Sequence, residues 1–233
     1  MGDDLTSKWS RFTGGSGAPL WTIYACGIDP RNIVDTYSAL VQSDYPSKEA
    51  PDPESMPDMI WASNYYRAFN RTVWTLFFAG KTYAPKCIID GVNIQDWLQD
   101  HFVNAVGALA EHISKAGDLY DECILGWDSI NEPGEGLIGV KDISVVPKDQ
   151  SVVLGPVPTP FENMQLAMGQ AVTVPNYIFG SMGPKKTGMV TLDPKGQILW
   201  LTEEADKERG AGKWGWTRGN SWKMGTCSEF RAY

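Results

Sequence analysis

One stretch constrains this chain more than any other. Ile124-Leu125-Gly126-Trp127-Asp128-Ser129-Ile130-Asn131-Glu132-Pro133 is an apolar run that ends in a carboxylate set between an amide and a proline. The near-continuous apolar segment over 123–127 predicts a buried parallel strand. Pro133 stops such a strand, because it has no N–H to give to a ladder. Glu132 then stands just past the strand's C-terminal end, where (β/α)8 barrels keep their catalytic groups. A carboxyl there, beside an amide able to hydrogen-bond a sugar hydroxyl, suits a general acid acting on a glycosidic oxygen. The bland alternative is a solvated loop residue or a helix N-terminal charge. The rest of the chain has to decide between them.

A chain of 233 residues fits one domain and comes close to the ~250 of a typical (β/α)8 barrel. Its net charge of −8 argues against a surface for nucleic acid or anionic membranes, both of which select basic patches. No run approaches the roughly 18 apolar residues of a membrane span. The start, Met1-Gly2-Asp3-Asp4, lacks the basic-then-apolar plan of a signal peptide. Gly2 with Thr6 fits a myristoylation start, a pattern short enough to match by chance. Cys26, Cys87, Cys123 and Cys227 lie far apart, and His101 and His112 share one helical segment. Neither set has metal-ligand spacing, so no metal or other cofactor is expected. Reduced, mostly buried thiols fit an intracellular protein, in the cytosol or vacuole. Asn70-Arg71-Thr72 is a formal glycosylation sequon, but it falls inside a predicted helix.

Gly14-Gly15-Ser16-Gly17 marks a tight loop without the Lys-Ser/Thr of a phosphate cradle or the spacing of a hydrolase elbow. Residues 20–28 predict a short strand or a buried loop. Residues 45–58, with four prolines among acidic residues, predict a solvated loop. An aromatic-rich helix is expected over 61–79, ending at Gly80 as its C′ residue. Asn93 is placed to cap a second helix. The apolar face of that helix is Ile94, Trp97, Leu98, Phe102, Val106, Leu109 and Ile113, at i, i+3, i+4 spacing, and it ends near Gly117. Helix followed closely by strand is α/β grammar. Residues 134–160 read as a long loop, which after a strand's C-terminal end would overhang an active-site mouth. A short helix is expected over 161–170. A β-hairpin is expected from 187–192 and 197–201 around Asp193-Pro194-Lys195-Gly196. Trp214, Trp216 and Trp222 could stack on sugar faces, although packing is the commoner role of tryptophan. Only one convincing barrel strand is visible, where a complete barrel has eight.

Three segments carry a family resemblance. They are Trp9-Ser10-Arg11-Phe12-Thr13-Gly14-Gly15-Ser16-Gly17-Ala18-Pro19, Thr75-Leu76-Phe77-Phe78-Ala79-Gly80-Lys81-Thr82-Tyr83-Ala84-Pro85, and Gly126-Trp127-Asp128-Ser129-Ile130-Asn131-Glu132-Pro133. Together they resemble glycoside hydrolase family 5, the cellulase-like retaining glycosidases, and within it the fungal branch that cleaves glucosylceramide and steryl β-glucosides. The similarity runs to about residue 227. It implies a (β/α)8 TIM barrel, present here as an incomplete central portion around strand four and decorated by a β-hairpin. All 233 residues would belong to that one partial catalytic domain. It implies hydrolysis of a lipid β-glucoside, with Glu132 as general acid/base in apolar surroundings that raise its pKa, and Asn131 on the substrate's 2-hydroxyl. No metal or cofactor is implied.

The family's nucleophile, a second Glu at the end of strand seven, matches no segment here. Glu203 and Glu204 sit in a context, Leu201-Thr202-Glu203-Glu204-Ala205-Asp206, that is not the family's, yet they are the first to test. The histidine-bearing end of strand three would precede Met1, and residues 228–233 depart from the pattern. The expectation is therefore a middle piece of a longer enzyme or a truncated gene model. The alternative is an inactive remnant that at most binds sugar or lipid.

Overall fold

The computed structural model describes residues 9–10, 13, 17–128, 130 and 132–219. The loop around Gly14 and Gly15, the start at Gly2, Cys227 and Trp222 lie outside them. Helix α1 (Leu20–Ala25) occupies part of the segment expected as strand or loop, and it buries Thr22, Ile23, Tyr24 and Ala25. Trp9 is fixed to it by an indole N–H donated to Thr22 Oγ1 at 2.8 Å. Short 3-10 turns follow at Pro30–Asn32, Gln42–Asp44 and Pro53–Ser55. The solvated loop over 45–58 is present as expected, exposed along most of its length.

The helix expected over 61–79 is two pieces. A 3-10 segment spans Ile60–Tyr66, Arg67 is extended (φ −91°, ψ 161°), and α2 spans Ala68–Tyr83. The break lets buried Arg67 reach sideways, donating to Tyr37 O at 3.1 Å and Pro156 O at 3.5 Å. Burial pulls the guanidinium pKa down to about 10. Gly80 does not end α2; it is where the next helix crosses. A methyl there would lie 3.1 Å from Asn93 Oδ1 and from Gln95 Cβ. Asn70 and Thr72 of the sequon are buried in α2. A helix buried on nearly all sides over residues 68–77 belongs at the centre of a fold.

A two-stranded hairpin, β1 (Ile88–Ile89) and β2 (Val92–Asn93), turns on Asp90 and Gly91. Both have positive φ (49° and 84°), the geometry that favours Asp-Gly at a tight hairpin. Asn93 then caps α3 (Ile94–Lys115), its side chain accepting from Gln95 N at 3.0 Å. The predicted cap and end of this helix are both found. Its apolar stripe is not covered throughout: Ile94, Trp97 and Leu98 are buried, while Phe102, Val106 and Leu109 are exposed.

Helix α4 (Leu119–Cys123) leads into 124–128, and here the structure corrects the sequence reading. These residues form no strand, and Leu125 and Trp127 are exposed. A strand is a partnered object, and no described residue offers 124–128 a ladder. Every strand pairing among the described residues is antiparallel, so what is described is helices and small sheets, in keeping with part of an α/β fold, with no parallel barrel strand among the described residues.

The chain then loops to β3 (Gly155–Pro156) and α5 (Pro160–Ala167). Thr159 and Glu162 close a capping box on α5, with bonds of 3.1 and 2.7 Å. Strands β4 (Val172–Gly180) and β5 (Gly183–Leu192) form a long hairpin with β3 on its inner edge. The hairpin lies one turn earlier than expected, with its turn between Gly180 and Gly183. Asp193-Pro194-Lys195-Gly196 is a turn, with Gln197 N donating to Pro194 O, but the chain beyond it returns to the core through Leu199 and Leu201. There Trp200 bridges Ile28.

Helices α6 (Glu203–Arg209) and α7 (Ala211–Trp214) end the described fold. Trp216 is buried against Trp21 and Trp97, so packing is its role. Arg218 grips Asp206 with two bonds of 2.7 and 2.8 Å and donates to Tyr24 O and Ala25 O at the end of α1.

Candidate active site

The site is built where the chain after Glu132 crosses α2. Gly134 lies flat on the indole of Trp74; a methyl there would sit 2.3 Å from the ring's Cδ1. Gly136 (φ 67°) passes equally close, a methyl meeting Thr75 Oγ1 at 2.6 Å. Both positions demand glycine, one by contact and the other by contact and conformation. Leu137 N donates to Thr75 Oγ1 at 2.8 Å, and that hydroxyl donates to Arg71 O at 2.6 Å. Arg71, largely buried, donates through Nε to Tyr66 O at 3.0 Å and through Nη1 to Gly136 O at 3.5 Å. Desolvation by burial lowers its pKa.

The far end of the same loop is fastened on Tyr66. Its hydroxyl lies 2.8 Å from Ser151 Oγ and accepts from Ser151 N at 3.1 Å. Residues 133–151 are thus pinned at one end to α2 and at the other to Tyr66, the last residue of the 3-10 segment before it. Between the pins they wall an open basin of about 1010 Å³. Glu132 stands on its rim with φ 42°, a left-handed conformation that a non-glycine residue rarely adopts. Tyr65, Tyr66 and Arg71 form the opposite side, and Ile138, Val140, Val145, Val146 and Pro147 give the wall an apolar stretch. Glu135, Asp142 and Asp149 bring further carboxylates. Asp142 is held below the usual carboxylate range by the Ser144 hydroxyl and then by the Ser144 backbone N–H.

The overhanging loop expected after Pro133 is therefore present and shapes the cavity that Glu132 faces. Glu132 itself is exposed, which corrects the expectation of apolar surroundings around it. None of the described residues over 124–130 lines the basin. Asn131 lies outside the described residues. Glu203 and Glu204 are exposed on the first turn of α6, Glu203 paired with Lys207 at 2.9 Å, and neither lines the basin. Among the described residues no group of three or more His, Cys, Asp or Glu is placed to hold a metal, and no helix is long and apolar enough to cross a membrane. Cys26 is buried and Cys123 exposed.

The sequence reading missed Tyr66, Arg71 and Thr75 as fasteners. The available signals were an arginine within an otherwise aromatic helix, and two glycines alternating directly after Pro133.

No protein-family model matches the chain. It is 47% identical over 225 residues to a glucosylceramidase of Aspergillus fumigatus, covering 97% of this chain and 28% of that protein. It is 41% identical over 232 residues to an ergosteryl-beta-glucosidase of Saccharomyces cerevisiae, covering 97% of this chain and 30% of that one. Among solved structures, sterylglucosidase 1 of Cryptococcus neoformans with tris matches at a TM-score of 0.94 and 59% identity, over 96% of this chain and 31% of that one. The chain spans about three tenths of the length of these relatives.

Proposed function

We propose that this chain, which belongs with the fungal glucosylceramidases and steryl β-glucosidases, carries the acid/base end of a retaining β-glucosidase site. The substrate class is a lipid β-glucoside, either a steryl glucoside or a glucosylceramide. One observation supports this above the others: Glu132 opens on a walled basin through a loop that α2 holds at several points.

In a retaining mechanism two carboxyls about 5–5.5 Å apart divide the work. Glu132 protonates the departing lipid hydroxyl while a second carboxylate attacks the anomeric carbon; Glu132 then takes a proton from the water that releases the sugar. Asn131 holds the 2-hydroxyl, a contact that strengthens in the transition state. The apolar stretch from Ile138 to Pro147 lies against the aglycone. The nucleophile is not assigned to any residue of this chain. In this reading the 233 residues are part of one catalytic domain around the fourth strand of a (β/α)8 barrel, and 124–128 become that strand once neighbouring strands flank them.

The test is Glu132→Gln in the complete protein carrying this chain. Turnover of a glucoside with a poor leaving group should fall by about 10²–10⁴, the usual worth of general acid/base catalysis. Glycosylation by a glucoside with an activated phenol leaving group should suffer much less. Near-wild-type turnover of both substrates would remove Glu132 from the role.

A further inference from the structure

We propose that the outer half of the β4–β5 hairpin is a membrane-docking finger that enters the headgroup region of an anionic lipid bilayer. The hairpin has two unlike halves. At its base Val172, Val174 and Leu192 pack on Leu166 and are buried. At its tip Ile178, Phe179 and Met182 stand free, Phe179 73% and Met182 99% exposed. A register shift at Asn176/Tyr177 separates the halves, with Gly188 at φ 154°. Single exposed apolar residues need no explanation, but three large ones gathered on a projecting tip do.

Charge identifies the occupant. The chain as a whole carries −8, which opposes an anionic surface. The hairpin is the local exception: the only charged residues in its two strands are Lys185 and Lys186. The register sets Phe179 opposite Pro184, Ile178 opposite Lys185 and Tyr177 opposite Lys186. Both ammonium groups therefore sit just behind the apolar tip. There they reach lipid phosphates while the tip enters the acyl boundary, each lysine adding to the attraction of an anionic leaflet. From Tyr177 to Gly180 the strand rises about 10 Å, the depth to which interfacial elements insert. The acidic remainder of the molecule is repelled by the same surface, which orients the finger toward it.

The finger also stands beside the basin. The loop that walls the basin runs on from Ser151 into β3, and β3 pairs with β4 at Asn176 and Tyr177. Docking there would bring the basin to a glucoside whose lipid stays in the membrane; that consequence rests on the function proposed above, whereas docking itself does not.

The experiment is sedimentation of the complete protein with phosphatidylcholine vesicles, with and without phosphatidylserine. Binding is expected to the anionic vesicles and to weaken with salt. Lys185→Ala/Lys186→Ala should weaken it about tenfold or more, since each lysine near an anionic surface is worth a factor of about five. Phe179→Ser/Met182→Ser should abolish binding. Turnover of a soluble aryl glucoside should be unchanged in both variants. Should the apolar pair disturb the fold, the lysine pair alone decides. Vesicle binding that is absent, or equal in wild type and the lysine variant, overturns the proposal. So does a lipid-independent dimer lost in the variants, which would make β5 a pairing edge between copies. Vesicle binding through the hairpin without any glucosidase activity would leave the finger standing and remove the proposed function instead.

Discussion

Thr75 is a small residue with a large mechanical task. Its hydroxyl accepts from Leu137 N and donates to Arg71 O, so one oxygen joins the loop after Glu132 to the axis of α2. Thr75→Val keeps the shape and removes both bonds, leaving a loop N–H without its partner. A fully buried donor stripped of its acceptor costs about 1–3 kcal/mol and this half-buried one costs less, and the loop relieves it by lifting toward water. A shift of about 1 Å at a catalytic group can cost on the order of 10²-fold in rate. In the complete protein, Thr75→Val should therefore lower kcat for a lipid glucoside by tenfold or more, with KM changed little, and Thr75→Ser should restore it. Equal kcat in the Val and Ser variants would show that the hydroxyl does not position Glu132. Glu132 can be singled out in sequence because a carboxylate between an amide and a proline is a local pattern, and the structure places it on the basin. Arg71 and Thr75 were not, since a polar residue in a helix declares nothing about the loop that will lie across it.

At the scale of elements, the parts fixed by short-range physics were read correctly. Asn93 caps α3 as expected, because a cap needs only neighbours in sequence. The parts that need a distant partner were misread. The run at 123–127 has a strand's composition but no ladder, and the true hairpin hid behind Pro175, Gly183 and Gly188, residues that usually end strands. Pro175 pairs opposite Met189 within β4 and its carbonyl accepts from Val157 N at 2.9 Å, contacts that sequence spacing cannot show. Distant pairing also makes a prediction about α6. Asp206 is buried and held bidentately by Arg218, which in turn ties to the end of α1. Removing one partner of a buried pair typically costs 3–5 kcal/mol, so Asp206→Ala should lower the melting temperature of the complete protein sharply. Glu203→Gln, which breaks the exposed pair with Lys207 three residues earlier, should change neither melting temperature nor activity. A loss of turnover with Glu203→Gln at unchanged stability would make that residue a catalytic carboxylate after all.

The whole molecule is unevenly finished, and this decides how it behaves alone. Around α2 the core is closed: Ile23, Ile28, Ile33, Val73, Ile89, Ile94, Leu199 and Leu201 are all fully buried. Away from it, the second half of α3, α4 and residues 124–128 present Val103, Val106, Leu109, Leu119, Leu125 and Trp127 to solvent on consecutive elements. Apolar residues exposed in succession mark a surface that association or aggregation will cover. Between this uncovered segment and Glu132 only Ile130 among the described residues packs on the core, so little on that side holds the Glu132 carboxyl against a sugar. General acid catalysis needs that fixed geometry before any adjustment of pKa can act. Expressed as these 233 residues, the chain should bind a hydrophobic dye, melt broadly and turn over a fluorogenic β-glucoside no faster than its Glu132→Gln variant. A sharp two-state transition together with Glu132-dependent hydrolysis would show the exposed face to be harmless. It would also place both carboxylates within this chain, and Glu135, Asp142 and Asp149 on the same basin would then be the ones to replace next.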